Sequence, residues 1–133
     1  MAELDQTRAA EAVLELIRRT QKGLIKWEPA PNDFQPKVDP GVTSDAAFIA
    51  EYQGKYLRVS RKSWVETNSF SMLPEQRNIR KTQSRLELLD AQGRSLWRFP
   101  HHEVIADLYK AASFQASNAQ QLIEDLLSTD PGT

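Results

Sequence analysis

Apolar residues recur along this chain at two different spacings, and the changes of spacing divide it into elements. From about Thr7 to Lys22, Ala10, Val13, Leu14 and Ile17 fall at i, i+3, i+4 and i+7, the stripe of an amphipathic helix. Asp5 or Thr7 suits its start, Arg18, Arg19 and Lys22 suit its carbonyl end, and Gly23 suits the left-handed residue that closes it. The spacing then drops to two. Leu24 to Glu28 alternates as a short strand, as do Thr43 to Tyr52 and Tyr56 to Arg61. Gln53-Gly54-Lys55 supplies the turn that makes the last two a hairpin, with Leu57 and Val59 on its buried side and Tyr56 and Arg58 displayed on the other.

Further on, Leu86–Leu89 and Arg94–Phe99 read as a second hairpin about Asp90-Ala91-Gln92-Gly93, with glycine at the left-handed position. Pro100 stops the strand, and His101 or His102 opens a helix to about Ser117 with Val104, Ile105, Leu108, Tyr109 and Ala112 on its buried side. Ser117 with Gln120, or Asn118 with Gln121, has capping-box spacing before a last short helix carrying Leu122, Ile123, Leu126 and Leu127. Two stretches fit neither period. Residues 29–42 hold Pro29, Pro31, Pro36 and Pro40, a spacing no helix survives, and form a proline-rich loop. Residues 62–83 are mostly polar and read as a long loop.

Together these elements predict one α+β domain over residues 1–133. Its N-terminal helix and C-terminal helices pack on one face of an antiparallel sheet of about four strands. A chain of 133 residues with 40% hydrophobic and 26% charged side chains fits a folded globule. No apolar run approaches the ~20 residues of a membrane span, and no secretory signal is visible at the N-terminus. Cysteine is absent, which excludes disulfides, thiolate metal sites and cysteine nucleophiles, and a cytoplasmic setting is expected. Trp27, Trp64 and Trp97 read as core or interface aromatics, Trp97 as core between hairpin and helix.

Net charge changes the picture more than composition does. The total of −1 conceals a segregation. Residues 1–53 carry six basic and nine acidic side chains, residues 54–98 ten and four, and residues 99–133 one and five. The central strands are thus strongly cationic between two anionic segments.

The segments Leu86-Glu-Leu-Leu-Asp-Ala-Gln-Gly93, Trp97-Arg98-Phe99-Pro100, Leu108-Tyr109 and Gly23-Leu-Ile-Lys-Trp27 resemble a group of small, uncharacterised prokaryotic proteins built as helix, antiparallel strands and helical C-terminus. The matching pieces cover about half the chain. The resemblance implies a fold and carries no catalytic residue with it.

Candidate chemistry is sparse. His101-His102-Glu103 with Asp107 offers imidazoles and carboxylates, but adjacent histidines on a helix diverge by ~100°, and the His-x-x-x-His spacing of a helical zinc site is missing. Gly-x-Ser-x-Gly and Gly-rich phosphate loops are missing as well. No metal, cofactor or catalytic residue is assigned. The central strands interleave cations with aromatics at Tyr56, Arg58, Arg61, Trp64, Arg94 and Arg98. Such a face suits a protein partner of opposite charge, or a second copy of the chain as a homodimer. The leading expectation is therefore a non-enzymatic interaction or regulatory module. Single-stranded nucleic acid bound on the same face is the alternative, with a pI of about 6.1 against it. An enzyme or metal site at His101 and His102 comes third.

Overall fold

The computed structural model describes residues 6–67, 72–73 and 78–128. Helix α1 spans Gln6–Gln21 and is followed by six strands: β1 Glu28–Pro29, β2 Thr43–Ser44, β3 Phe48–Tyr52, β4 Lys55–Thr67, β5 Asn78–Leu89 and β6 Ser95–Arg98. Helices α2 (Val104–Ala116) and α3 (Ala119–Ser128) close the described chain. Every strand pairing is antiparallel, in the order β1-β3-β4-β5-β6, with β2 also on β4. The α+β class holds, and the sheet has six strands where about four were expected. No helix among the described residues is long and apolar enough to cross a membrane.

One sheet face receives α1 and α2. Val13 of α1, Phe48, Ala50, Leu57, Val59 and Leu86 of the sheet, and Ile105, Leu108 and Ala112 of α2 form a continuous core. Fully burying a side chain of this size contributes about 1.5–3 kcal/mol. The helical stripe differs from expectation at one position: Leu14 is exposed, and Leu16 packs on the core with Ala10 and Ile17. Gly23, at φ +75°, ends α1. Its N–H donates to the Thr20 carbonyl (3.0 Å), and that of Leu24 donates to Arg19 (2.8 Å). This pair of bonds satisfies carbonyls the helix end would otherwise leave open. The Thr20 hydroxyl then accepts a 2.9 Å bond from Trp27 Nε1 and folds the connection back under the helix. Gln115 of α2 clasps the same connection, accepting from Trp27 N (2.6 Å) and donating to the carbonyls of Ile25 (2.7 Å) and Thr20 (3.1 Å).

The strand expected over Thr43–Tyr52 is interrupted. Thr43 and Ser44 pair with Ser63 and Lys62, whereas Phe48 pairs with Val59. The two registers differ by one residue, so residues 45–47 contain a bulge. Its polar groups are engaged: Asp45 N donates to Arg61 O (2.8 Å), Ala46 O accepts from the Tyr109 hydroxyl (2.7 Å), and Ala47 O accepts from Ala30 N (2.9 Å). A second register shift lies between β5 and β6.

Within the expected loop over residues 62–83, residues 62–67 and 78–83 are strand, and residues 68–71 and 74–77 lie outside the described residues. β4 runs on to Thr67 and β5 resumes at Asn78, paired throughout from Thr67↔Asn78 inward. This ribbon is mostly polar on both sides, with Trp64, Val65 and Ile79 as its large apolar side chains among the described residues. Backbone ladder bonds hold it, and it carries no apolar alternation to reveal it in the sequence. Within the loop of residues 29–42, Glu28–Pro29 pairs at the sheet edge and Asn32–Phe34 makes a single 3-10 turn. The strand expected over Leu24–Glu28 is reduced to this short pairing. The capping box expected at Ser117 is not formed: its hydroxyl donates back to Phe114 O (2.9 Å). Asn118 turns the chain into α3 at φ +56°. Asp5, the other candidate cap of α1, lies outside the described residues.

Candidate anion-binding face

The face of the sheet away from α1 and α2 holds four of the six residues that sequence patterning marked as open and basic: Tyr56, Arg58, Trp64 and Arg98. Alternation along β4 places Tyr56, Arg58, Lys62 and Trp64 there. The pairings Arg58↔Glu87, Ser60↔Arg85 and Glu87↔Arg98 add Glu87, Arg85 and Arg98. The loop of residues 29–42 crosses part of it. Ala30 and Phe34 pack with Ala47, Ile49 and Tyr56 as a second small core, and Phe34 meets the Tyr56 ring edge-on at 5.0 Å. Close approach fixes where the loop lies. Gly93, at φ +85°, sits so near that a Cβ there would stand 2.5 Å from Asp33 O and 3.2 Å from the Phe34 ring.

This cover changes the role of Arg58. The expectation of a displayed Arg58 is corrected: it is 6% exposed, and Glu87 opposite it is 4% exposed. Arg58 Nη2 donates to Glu87 Oε1 at 2.9 Å and Nη1 to Phe34 O at 3.0 Å. Nε is buried without a hydrogen-bond partner among the described residues. Burial alone would raise the Glu87 pKa. Hydrogen bonds from Arg58 and Ser95, with the charges of Arg58 and Arg98, outweigh it and hold the carboxyl below its ordinary value.

Beyond the loop, Lys62, Arg85 and Arg98 make no ion pair among the described residues. Arg85 and Arg98 lie close enough to act on Lys62, and Arg98 on Arg85. Desolvation first, and then the charges of Arg85 and Arg98, push the Lys62 ammonium below its ordinary pKa. Desolvation and Arg98 likewise lower Arg85. Asp39, from the proline-rich loop, opposes both shifts and does not reverse them. Lys62 Nζ sits 5.2 Å from the centre of the Trp64 ring, and Trp64 Nε1 donates to Glu66 at 3.3 Å. The cluster is thus three cations in mutual repulsion, bordered by an aromatic ring.

The other marked residues lie elsewhere. Arg61 points to the helical side, where it pairs with Asp45 (2.6 Å) and stacks over Tyr109 at 4.9 Å. Arg94 is exposed at the β5–β6 turn and pairs with Asp90 (2.9 Å), whose carboxylate also accepts from the backbone of Gln92 and Arg94. Structure therefore brings Trp64 and Arg98 together with Lys62 and Arg85, sets Tyr56 and Arg58 under the loop, and separates Arg61 and Arg94. Lys62 and Arg85 belong to the basic centre that the sequence marks, and they share the alternation of Arg58 and Glu87, but the expected 62–83 loop hid the strand phase of Lys62. Trp97, expected in the core, is 39% exposed at the sheet edge against Phe99, ring centres 4.6 Å apart.

The histidines have local tasks. His102 Nδ1 accepts from Val104 N at 3.1 Å at the start of α2, and His101 Nδ1 bonds the Gln83 amide at 3.2 Å. Among the described residues no group of three or more His, Asp or Glu side chains is placed to hold a metal ion. Comparison with known proteins finds no matching family, no matching curated protein and no matching solved structure.

Proposed function

We propose that this chain is a non-enzymatic interaction module that binds an acidic protein segment on the face carrying Lys62, Arg85 and Arg98. The observation that carries this reading is the cluster itself: three neighbouring cations, two of them partly desolvated, with no ion-pair partner among the described residues. Repulsion in such a cluster is relieved when carboxylates dock on it, and partner binding is where that energy returns. Beside it, Glu87 makes its ion pair with the buried Arg58 and none with the cluster cations among the described residues. A cytoplasmic setting belongs to the same reading, as a chain without cysteine needs no oxidising compartment.

Titration of a dye-labelled Glu/Asp-rich peptide into the full chain tests it by fluorescence anisotropy. Saturable binding that weakens with salt, and is lost in Arg85→Glu/Arg98→Glu, supports the proposal. A flat titration of the parent protein at low salt, or undiminished binding by the double variant, refutes it. Single-stranded nucleic acid is the second reading, favoured by Trp64 on the same face. Lys62 already occupies one side of that ring, so a stacking base would have to displace it. A single-stranded oligonucleotide binding more tightly than the peptide, with the signal lost in Trp64→Ala, would reverse the order of the two.

A further inference from the structure

Two apolar surfaces of this chain stand open, and their chemistry matches. The first is α3. Ala119, Leu122, Ile123, Leu126 and Leu127 fall at i, i+3, i+4, i+7 and i+8, the spacing of a core-facing helix. Yet Leu122, Ile123, Leu126 and Leu127 are 60, 44, 68 and 82% exposed. The remaining side of α3 carries Glu124 and Asp125 and no basic residue. The second surface is a cleft of about 470 Å³ between α1 and the hairpin ends of the sheet. Leu16, Leu57, Leu88, Trp97 and Phe99 line it, and Arg19 and Lys55 stand on its rim with Glu15. Arg18 and Lys22 continue the basic side of α1 beyond it.

We infer that α3 of one molecule seats its leucine face in this cleft of a second copy, which returns its own α3 in exchange. An amphipathic helix laid in an apolar groove is a recurring recognition mode, and its anchors are spaced as these residues are. A helix of ten residues is about 15 Å long, and the cleft volume is of the order that receives apolar anchors. Charge favours this occupant: acidic residues flank the anchors of α3, and on the rim Glu15 pairs with Arg19 (3.2 Å) and Arg18 (3.1 Å), which leaves an excess of positive charge with Lys55. The chain's own α3 is poorly placed to fill the site. It lies by Thr20, Gln21 and Gly23 at the C-terminal end of α1, where Gln120 and Gln121 border a separate groove against α2. Reciprocal exchange closes a two-fold dimer and covers both surfaces at once. This dimer does not depend on the acidic partner, since Lys62, Arg85 and Arg98 lie outside both surfaces.

Sedimentation of the full chain from micromolar to millimolar concentration tests the inference, with Leu126→Glu and Trp97→Lys as variants and circular dichroism to confirm that each folds. Both substitutions fall on exposed side chains. The parent is expected to form a dimer, and each variant to weaken it by at least ~tenfold, as loss of a central anchor does. A mixture of the two variants retains one intact helix and one intact cleft. It is expected to dimerise at a concentration where each alone is monomeric. A monomeric parent at millimolar concentration overturns the inference. So does a dimer abolished by Leu126→Glu but untouched by Trp97→Lys, which would mean that α3 pairs with another α3. A mixture that stays monomeric overturns it as well.

Discussion

Glu87→Gln is the sharpest perturbation of this fold, because it removes one charge and almost no volume. Arg58 would keep its bond to Phe34 O but would lose its counter-ion in a site where both side chains are nearly sealed from solvent. Breaking a buried pair from one side typically costs 3–5 kcal/mol, roughly, since the surviving charge stays desolvated. Unfolding entropy near 2.1 cal/mol/K per residue converts that, for 133 residues, into a fall in Tm of about 11–18 °C. The double variant Arg58→Met/Glu87→Leu removes both charges and keeps the volume. It is expected to recover most of the loss, with about 1 kcal/mol outstanding for the Phe34 carbonyl. Thermal melts followed by circular dichroism measure all three proteins. The pH dependence gives a second readout. Glu87 titrates below its ordinary value near 4.5 in the folded state. The stability it contributes is therefore present above that value and disappears as pH falls through the folded one. Glu87→Gln should flatten the acid limb of Tm against pH. A Tm within about 3 °C of the parent, or a double variant no better than the single one, would refute the reasoning that this pair is dry and coupled.

Gly93→Ala should destabilise more than Gly54→Ala. Both glycines have positive φ, which costs an alanine about 1–2 kcal/mol, but only at Gly93 does the new methyl strike Asp33 and Phe34; urea denaturation compares the two. Gln115→Ala strips partners from Trp27 N and the carbonyls of Ile25 and Thr20. It should cost about 2–3 kcal/mol, with faster hydrogen exchange at the Trp27 amide. Lys62→Met should raise Tm slightly at neutral pH. The Lys62 ammonium titrates below its ordinary value in the folded state, so its cost is present at low pH and is relieved as pH climbs toward 10.5; the variant should lack that alkaline gain in Tm.

The parts of the fold with apolar periodicity were legible: α1 closed by Gly23, the Leu57/Val59 and Leu86 strands, and the Val104–Ala112 stripe of α2. What escaped is the structure that apolar spacing does not encode. The outer ribbon of β4 and β5 is written mostly in polar residues, and Trp64, Val65 and Ile79 do not make an apolar alternation that marks it as strand. The bulge at residues 45–47 shifts the strand phase by one residue with no glycine or proline to mark it. At the site, alternation put Arg58 on the correct face of the sheet and failed on its exposure. That exposure is decided by Phe34, which lies 24 residues earlier in the chain in a loop whose path no local pattern dictates. The exposed leucines of α3 read like any core stripe, since spacing alone does not say which molecule supplies the other wall.

The loop seated on the sheet also divides one strand between two electrostatic regimes. Arg58 and Lys62 stand two steps apart on the same side of β4, with Ser60 between them, the first under the loop and the second beyond its edge. Dissolved ions reach the second and not the first. Raising ionic strength should therefore act on this protein selectively, damping the quarrel among Lys62, Arg85 and Arg98 while the Arg58–Glu87 bond goes on as if in pure water. The molecule should grow firmer in moderate salt even as its hold on an acidic partner loosens, so that stability and affinity run in opposite directions along one axis.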